Sequence, residues 1–363
     1  MGTFSGILGN KPALRLLEGA LASGEPSHAY LFYGPLGVGK RTVARRFGAA
    51  LVAGGDSGAE DRALRRLHPD LSEIEPDGRY TTIDQGREIT RQAASRPFEG
   101  ARRVFVLRAD TLNVQAANAL LKTLEEPEGG AVFVLLATSR EGVLPTIVSR
   151  AQAVRFDPVP PAEVVSFLVE QRGHPEGGAR LAGALGRGSV GLALRYAEEE
   201  EFKELREAVF EAGLLLDHSF EDRHGVVEEI MGKAEAVGAA QERSYLLATS
   251  EEANPDRQAK ESAKRAGRAA RGGAVAEALE LLALLYRDAA VVAAGASELA
   301  VNVDRVVEIG DLVAKYPEVD WTGVARIFGE EGDKLTYNVS PEAILEVALS
   351  QTRRKMSGTY PGW

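Results

Sequence analysis

The sequence predicts an α/β domain followed by an all-α region. Up to about Pro158, short β-branched and aromatic runs alternate with helical patterns, the arrangement of a parallel sheet with crossover helices. Beyond it the strand patterns vanish, and long helices rich in Ala, Leu and Glu take over. Formal charge divides at the same place: residues 1–158 hold 20 Lys+Arg against 18 Asp+Glu, and the remainder 23 against 35. A near-neutral front joined to an acidic back points to different jobs for the two parts. The expected boundaries are an α/β domain at 1–158, a small helical bundle at 159–212, a larger one at 213–357 and a tail at 358–363.

The first strand is Ala29–Tyr33, followed by GPLGVGKRT at Gly34–Thr42 and a helical stretch from Val43 to Ala50. Gly34, four residues, then Gly39-Lys40 is phosphate-loop spacing. Glycines let backbone N–H groups face phosphate oxygens, and the lysine reaches the β and γ phosphates. Gly34, Gly37, Gly39, Lys40 and Thr42 are therefore candidate nucleotide contacts, for ATP or ADP. One position departs from the pattern: the hydroxyl that binds Mg²⁺ belongs directly after the lysine, where Arg41 stands, and Thr42 comes one step late. A second strand, Val104–Leu107, is where a phosphate-loop hydrolase ends in acidic residues. Here the positions read Leu107 and Arg108, and a guanidinium repels a cation rather than binding it. Asp110 is the nearest carboxylate, read as a cap or turn residue.

Asn113 opens a helix with apolar positions Ala117, Leu120, Leu121 and Leu124, ended by Pro127. Glu125 and Glu126 close it, facing solvent or an interface. Val132–Ala137 is the third strand, with Thr138 at its end. DPVPP at 157–161 makes the hinge into the helical region. There Arg257, Lys260, Lys264, Arg268 and Arg271 form one basic stripe if helical. The stripe reads as a solvated face or as a contact for DNA phosphates or an acidic partner.

The chain contains no cysteine, which excludes disulfides, iron–sulfur clusters and thiolate zinc sites. No uncharged apolar run approaches membrane-spanning length, and the first twenty residues carry no signal pattern. A net charge of −10 argues against a protein that coats nucleic acid by itself.

These motifs resemble the delta-prime family of bacterial clamp-loader subunits, AAA+ proteins of the DNA polymerase III accessory complex. The likeness rests on FSGILGN at Phe4–Asn10, HAYLFYGPLGVGK at His28–Lys40 and HPDL at His68–Leu71. It continues in NVQAANALLKTLEEP at Asn113–Pro127, LLATS at Leu135–Ser139 and LPTIVSRA at Leu144–Ala151. Weaker matches are GSVGLAL at Gly188–Leu194, ALELLALLYRD, and NVSPEAILEVAL. The resemblance implies an AAA+ α/β domain, a helical lid and a helical collar that joins subunits into a ring.

It also implies residue roles. Active members end the second strand in Asp-Glu, where Leu107 and Arg108 stand, and carry a lid arginine where Gly191 stands. Ser149-Arg150 keeps the family's element whose arginine points into a neighbour's nucleotide site, a trans arginine finger. Thr138 matches a polar sensor of the γ-phosphate. The four-cysteine zinc module of many relatives is missing from residues 54–67, which read as a short polar helix or loop without a metal, and His68 reads as structural.

The implied function is a cytoplasmic, non-hydrolysing scaffold that supplies Arg150 to a neighbouring ATPase subunit. Its expected partners are the gamma/tau and delta subunits in a hetero-oligomer, the sliding clamp, and primed DNA through the assembled ring. It is expected to need no cofactor of its own and to touch no membrane. Nucleotidyl transfer would belong to the holoenzyme. The alternative is an active gamma/tau-like motor subunit: Lys40 favours it, while Arg41, Leu107, Arg108, Gly191 and the absence of a long tail after the last helix oppose it.

Overall fold

In the computed structural model, residues 2–76, 80–214, 220–249, 257–336 and 339–356 are described. The chain divides into two compact units, Met1–Gly173 with Gly186–Leu192, and His174–Leu185 with Ala193–Trp363. The predicted class, α/β and then all-α, is the class observed.

The first unit begins with α1 (Lys11–Ser23), β1 (Ala29–Tyr33), α2 (Lys40–Ala53), α3 (Ser57–Leu64) and β2 (Leu71–Ile74). There follow α4 (Ile83–Ala93), β3 (Val104–Arg108), α5 (Val114–Glu125), β4 (Val132–Ala137), α6 (Pro145–Val148), β5 (Gln152–Arg155) and α7 (Pro161–Glu170). The five strands form one sheet in the order β2-β3-β4-β1-β5, and every pairing is parallel. Alternation along the strands feeds two cores. Tyr30, Phe32, Val104, Val106, Val132 and Val134 join Phe47 and Val43 of α2 on one side. Leu31, Phe105, Leu107, Phe133 and Leu135 join Leu120 and Leu124 of α5 on the other. A parallel sheet covered on both faces needs such continuous apolar strands.

The polar stretch at 54–67 contains the short helix α3, capped by Asp56, whose carboxylate accepts from the N–H groups of Gly58 and Ala59. His68 is buried, and its Nδ1 accepts from the N–H of Asp70 at 3.2 Å. Asp70, fully buried, accepts in turn from the N–H groups of Phe98, Glu99 and Gly100 and from Arg103 Nε. One carboxylate thereby fixes the turn that delivers the chain into β3.

The second unit holds α8 (Glu176–Leu185), the body of α9 (Val190–Glu198), α10 (Glu200–Leu214), α11 (Phe220–Thr249) and α12 (Arg257–Ala293). It ends with α13 (Val306–Lys315), α14 (Trp321–Asp333) and α15 (Pro341–Met356). The two longest helices cross where glycines face each other. A Cβ on Gly238 would lie 2.9 Å from the Gly267 carbonyl oxygen, and one on Gly267 the same distance from that of Gly238. Tyr286 is the centre of this core, stacked on Trp321 and Phe328, with its hydroxyl donating to the Gly213 carbonyl at 2.9 Å. No described helix is long and apolar enough to cross a membrane.

Candidate functional site: a phosphate loop without a metal position

The carboxyl ends of β3, β4 and β1 lie side by side, so Arg108, Thr138 and Gly34 reach one edge of the sheet together. The loop Gly34–Gly39 leaves β1 there and ends at α2, with Gly39 as the residue before the first helical turn. Gly34, Gly37 and Gly39 have φ of 145°, 74° and 97°. These are conformations that residues with a Cβ avoid. Space demands two of the three as well. A Cβ on Gly34 would lie 2.0 Å from the Phe156 carbonyl oxygen, and one on Gly37 1.9 Å from Ser189 Oγ.

Lys40 is buried at the base of the loop, and its ammonium donates to the carbonyls of Gly34 and Pro35. Burial pulls it down to about 8; the Asp110 carboxylate opposes that shift and Arg108 adds to it. Thr42 lies exposed on the first turn of α2. The segment around Gly191 covers the other side of the loop. The Gly191 N–H donates to the Gly37 carbonyl at 3.3 Å, and Ser189 Oγ accepts from the N–H of Leu192.

The positions that would hold Mg²⁺ do not fit a cation. The side chain of Leu107 is sealed into the core. Arg108 Nε donates to Asp110 Oδ1 at 3.0 Å. The other oxygen, Oδ2, accepts from the backbone N–H of Thr138 at 3.2 Å and from its hydroxyl at 3.4 Å. Asp110 lies in the turn expected of it, but its carboxylate ties two strand ends together instead of capping a helix. The guanidinium of Arg41 bonds Glu75, beside an Arg45–Glu73 pair that Arg66 joins at 3.6 Å. Burial lowers the Arg41 guanidinium, Glu73 opposes this, and Arg66, Arg45 and Arg108 add to it, so three further arginines share its field. The loop is built to meet anions, with arginine where a metal ligand is needed.

Ser149 and Arg150 belong to a different set of contacts, just after α6. Arg150 Nη2 meets Glu125 Oε1 at 2.6 Å, while Nη1 donates to the Thr146 carbonyl and to Ser149 Oγ. Its Nε is buried without a hydrogen-bond partner among the described residues. Glu125, read from sequence only as a solvent or interface residue, thus holds the candidate finger. Nothing in the sequence pattern brings the end of α5 to the end of α6. The basic stripe lies on α12, where Arg271 is met by Glu235 at 2.8 Å and Glu342 at 3.6 Å, and Lys264 by Glu261 at 3.9 Å.

Residues 9–160 match the family described as DNA polymerase III, delta subunit. Over 204 residues the chain is 31% identical to DNA polymerase III subunit delta' of Bacillus subtilis, an alignment covering 54% of this chain and 61% of that protein. It is 39% identical over 135 residues to the subunit delta' of Pseudomonas aeruginosa, covering 34% and 41% respectively. With the gamma/tau subunit of Mycobacterium tuberculosis it shares 32% identity over 184 residues, 47% of this chain and 32% of that one. The chain thus spans less than two thirds of the length of each of these relatives.

Proposed function

We propose that the chain, whose residues 9–160 match the family described as DNA polymerase III, delta subunit, is a non-hydrolysing scaffold subunit of a bacterial clamp loader. It assembles with gamma/tau and delta subunits and helps place a sliding clamp on primed DNA. In that assembly Arg150, braced by Ser149, completes the nucleotide site of a neighbouring ATPase subunit. An arginine so placed stabilises the charge of the transferring phosphoryl group, typically about 10³–10⁵-fold in rate.

The observation that carries this reading is the Arg108–Asp110–Thr138 chain at the strand ends. It neutralises the nearest carboxylate in the place where hydrolysis needs a free acid to hold a metal. Arg41 and Gly191 remove two further parts of a cis hydrolytic site, whereas the Ser149-Arg150 element is retained. Thr138, engaged by Asp110, serves here as a strap for that carboxylate.

Two measurements test the reading together. The purified chain should show no ATP turnover above a no-protein control. Mixed with gamma/tau and delta subunits, it should comigrate with them as a hetero-oligomer in size-exclusion chromatography. Turnover by the chain alone, abolished by Lys40→Ala, would make it a motor subunit instead. Failure to comigrate would remove it from the loader.

A further inference from the structure

A metal-dependent phosphate loop needs a hydroxyl after its lysine and a free carboxylate at the neighbouring strand end, because a polyphosphate arrives with Mg²⁺ bridging its oxygens. This chain offers neither. Arg41 follows the lysine and bonds Glu75. Leu107 is sealed into the core. Asp110 has one oxygen on Arg108 and the other on the N–H and hydroxyl of Thr138. The anion-binding half, in contrast, is kept: three glycines in left-handed or related conformations, α2 starting at the loop, and at its base the Lys40 ammonium, which donates to the Gly34 and Pro35 carbonyls and must turn from them to meet a phosphate.

We propose that this loop binds a linear polyphosphate, such as that of a nucleoside triphosphate, free of any divalent cation, with Arg108 supplying at the end of β3 the positive charge that Mg²⁺ supplies elsewhere. The electrostatics give the direction. Mg²⁺ brought in with the ligand meets Lys40 and the two arginines, Arg41 and Arg108, and among the described residues of the loop and strand ends each nearby carboxylate is already paired, so nothing there favours the metal. The metal-free ligand carries more negative charge and gains from the same three groups. A guanidinium also suits phosphate, since its planar N–H groups pair with two oxygens at once. Arg108, partly exposed beside Asp110, can turn one N–H edge to a phosphate while keeping its bond to that carboxylate.

This inference rests on reading the loop as having lost hydrolysis, and it adds what the loop still takes. The test is calorimetric titration of the purified full chain with ATP in EDTA and again in excess MgCl₂, with tripolyphosphate as a parallel arm. ATP should bind in EDTA as tightly as in MgCl₂ or up to about tenfold more tightly. Arg108→Ala should weaken binding in EDTA by about tenfold. Tighter binding of ATP than of tripolyphosphate assigns a nucleotide to the loop; equal binding assigns the polyphosphate alone. Binding at least about tenfold tighter in MgCl₂ overturns the proposal, as does no saturable binding of ATP in EDTA, or an Arg108→Ala variant that binds like the parent. The measurement needs no partner subunit, so its failure leaves the trans role of Arg150 standing, and that role is tested in the assembled loader.

Discussion

Arg150 is held by a carboxylate of its own chain, Glu125, at 2.6 Å, with Nη1 turned to the Thr146 carbonyl and Ser149 Oγ. To serve a neighbour's phosphate it must trade the Glu125 contact for a phosphate oxygen, so the carboxylate competes with the task. Glu125 is about half exposed, which limits such a pair to about 0.5–1 kcal/mol. Glu125→Gln keeps the shape and removes the charge. In the assembled loader it should raise the ATPase rate before DNA is added by about two- to fivefold; an unchanged rate would mean the pair does not restrain the finger.

Lys40 offers a second test at this scale. Its ammonium is already pulled to about 8 by burial, with Asp110 and Arg108 as the charged groups facing it. A bound polyphosphate favours the protonated form and so raises the lysine again. Affinity is therefore full below about pH 8, declines above it, and levels off once the bound-state value is passed. The dissociation constant for ATP in EDTA should rise about tenfold between about pH 7 and about pH 9.5, and a Lys40→Arg variant should stay flat.

At the scale of elements, the loop and the Gly186–Leu192 segment are locked together by a missing side chain. Gly37→Ala demands a strained φ and drives a methyl into Ser189, which should cost about 2–4 kcal/mol in chemical denaturation. Gly191→Ala is the control: its Cβ would sit 3.5 Å from the Gly37 carbonyl oxygen, an ordinary contact, and its effect should stay within about 1 kcal/mol. Equal effects would show that the close approach at Gly37 is not what holds the segment.

Asp70 makes the corresponding prediction for the turn before β3. Burial alone would raise its carboxyl, yet three backbone N–H groups and Arg103 outweigh burial and hold it below the usual carboxylate range. Asp70→Ala leaves those donors buried and should cost about 3 kcal/mol. A depressed carboxyl contributes stability above its unfolded value near 4 and loses it as pH falls through the folded value. The stability gap between the parent and Asp70→Asn should therefore close below about pH 4 and persist above it; a gap independent of pH would mean that the charge on Asp70 is not what matters.

The central strands were legible in the sequence because β1, β3 and β4 are covered on both faces and must be apolar throughout. The two edge strands were not. In Leu71–Ile74 and Gln152–Arg155 a single residue each is fully buried, so neither stretch stands out from a loop. The glycine loop between β1 and α2 was equally legible, being a matter of residue type at fixed spacing. The partners of Arg108 and Arg150 were not. The Asp110–Thr138 bond and the Glu125–Arg150 pair join segments about 28 and 25 residues apart through the fold, and no periodicity encodes them.

For the whole molecule, the split of charge between a near-neutral front and an acidic back fits a chain whose phosphate-facing chemistry is concentrated in its first unit. Arg41, Arg45, Arg66 and Arg108 gather near the loop, whereas part of the basic stripe on α12 is already matched by Glu235, Glu261 and Glu342. On this account the chain takes a polyphosphate without hydrolysing it and gives its catalytic contribution elsewhere. The most direct test is the DNA-stimulated ATPase rate of a loader reconstituted with gamma/tau and delta subunits, comparing Arg150→Ala with Lys40→Ala in this chain. Arg150→Ala should silence the one site it completes, by about 10³-fold or more, and remove that site's share of the total rate, while Lys40→Ala leaves the rate unchanged. A loss with Lys40→Ala as large as with Arg150→Ala would contradict the account, because the loop of this subunit would then be turning over nucleotide itself.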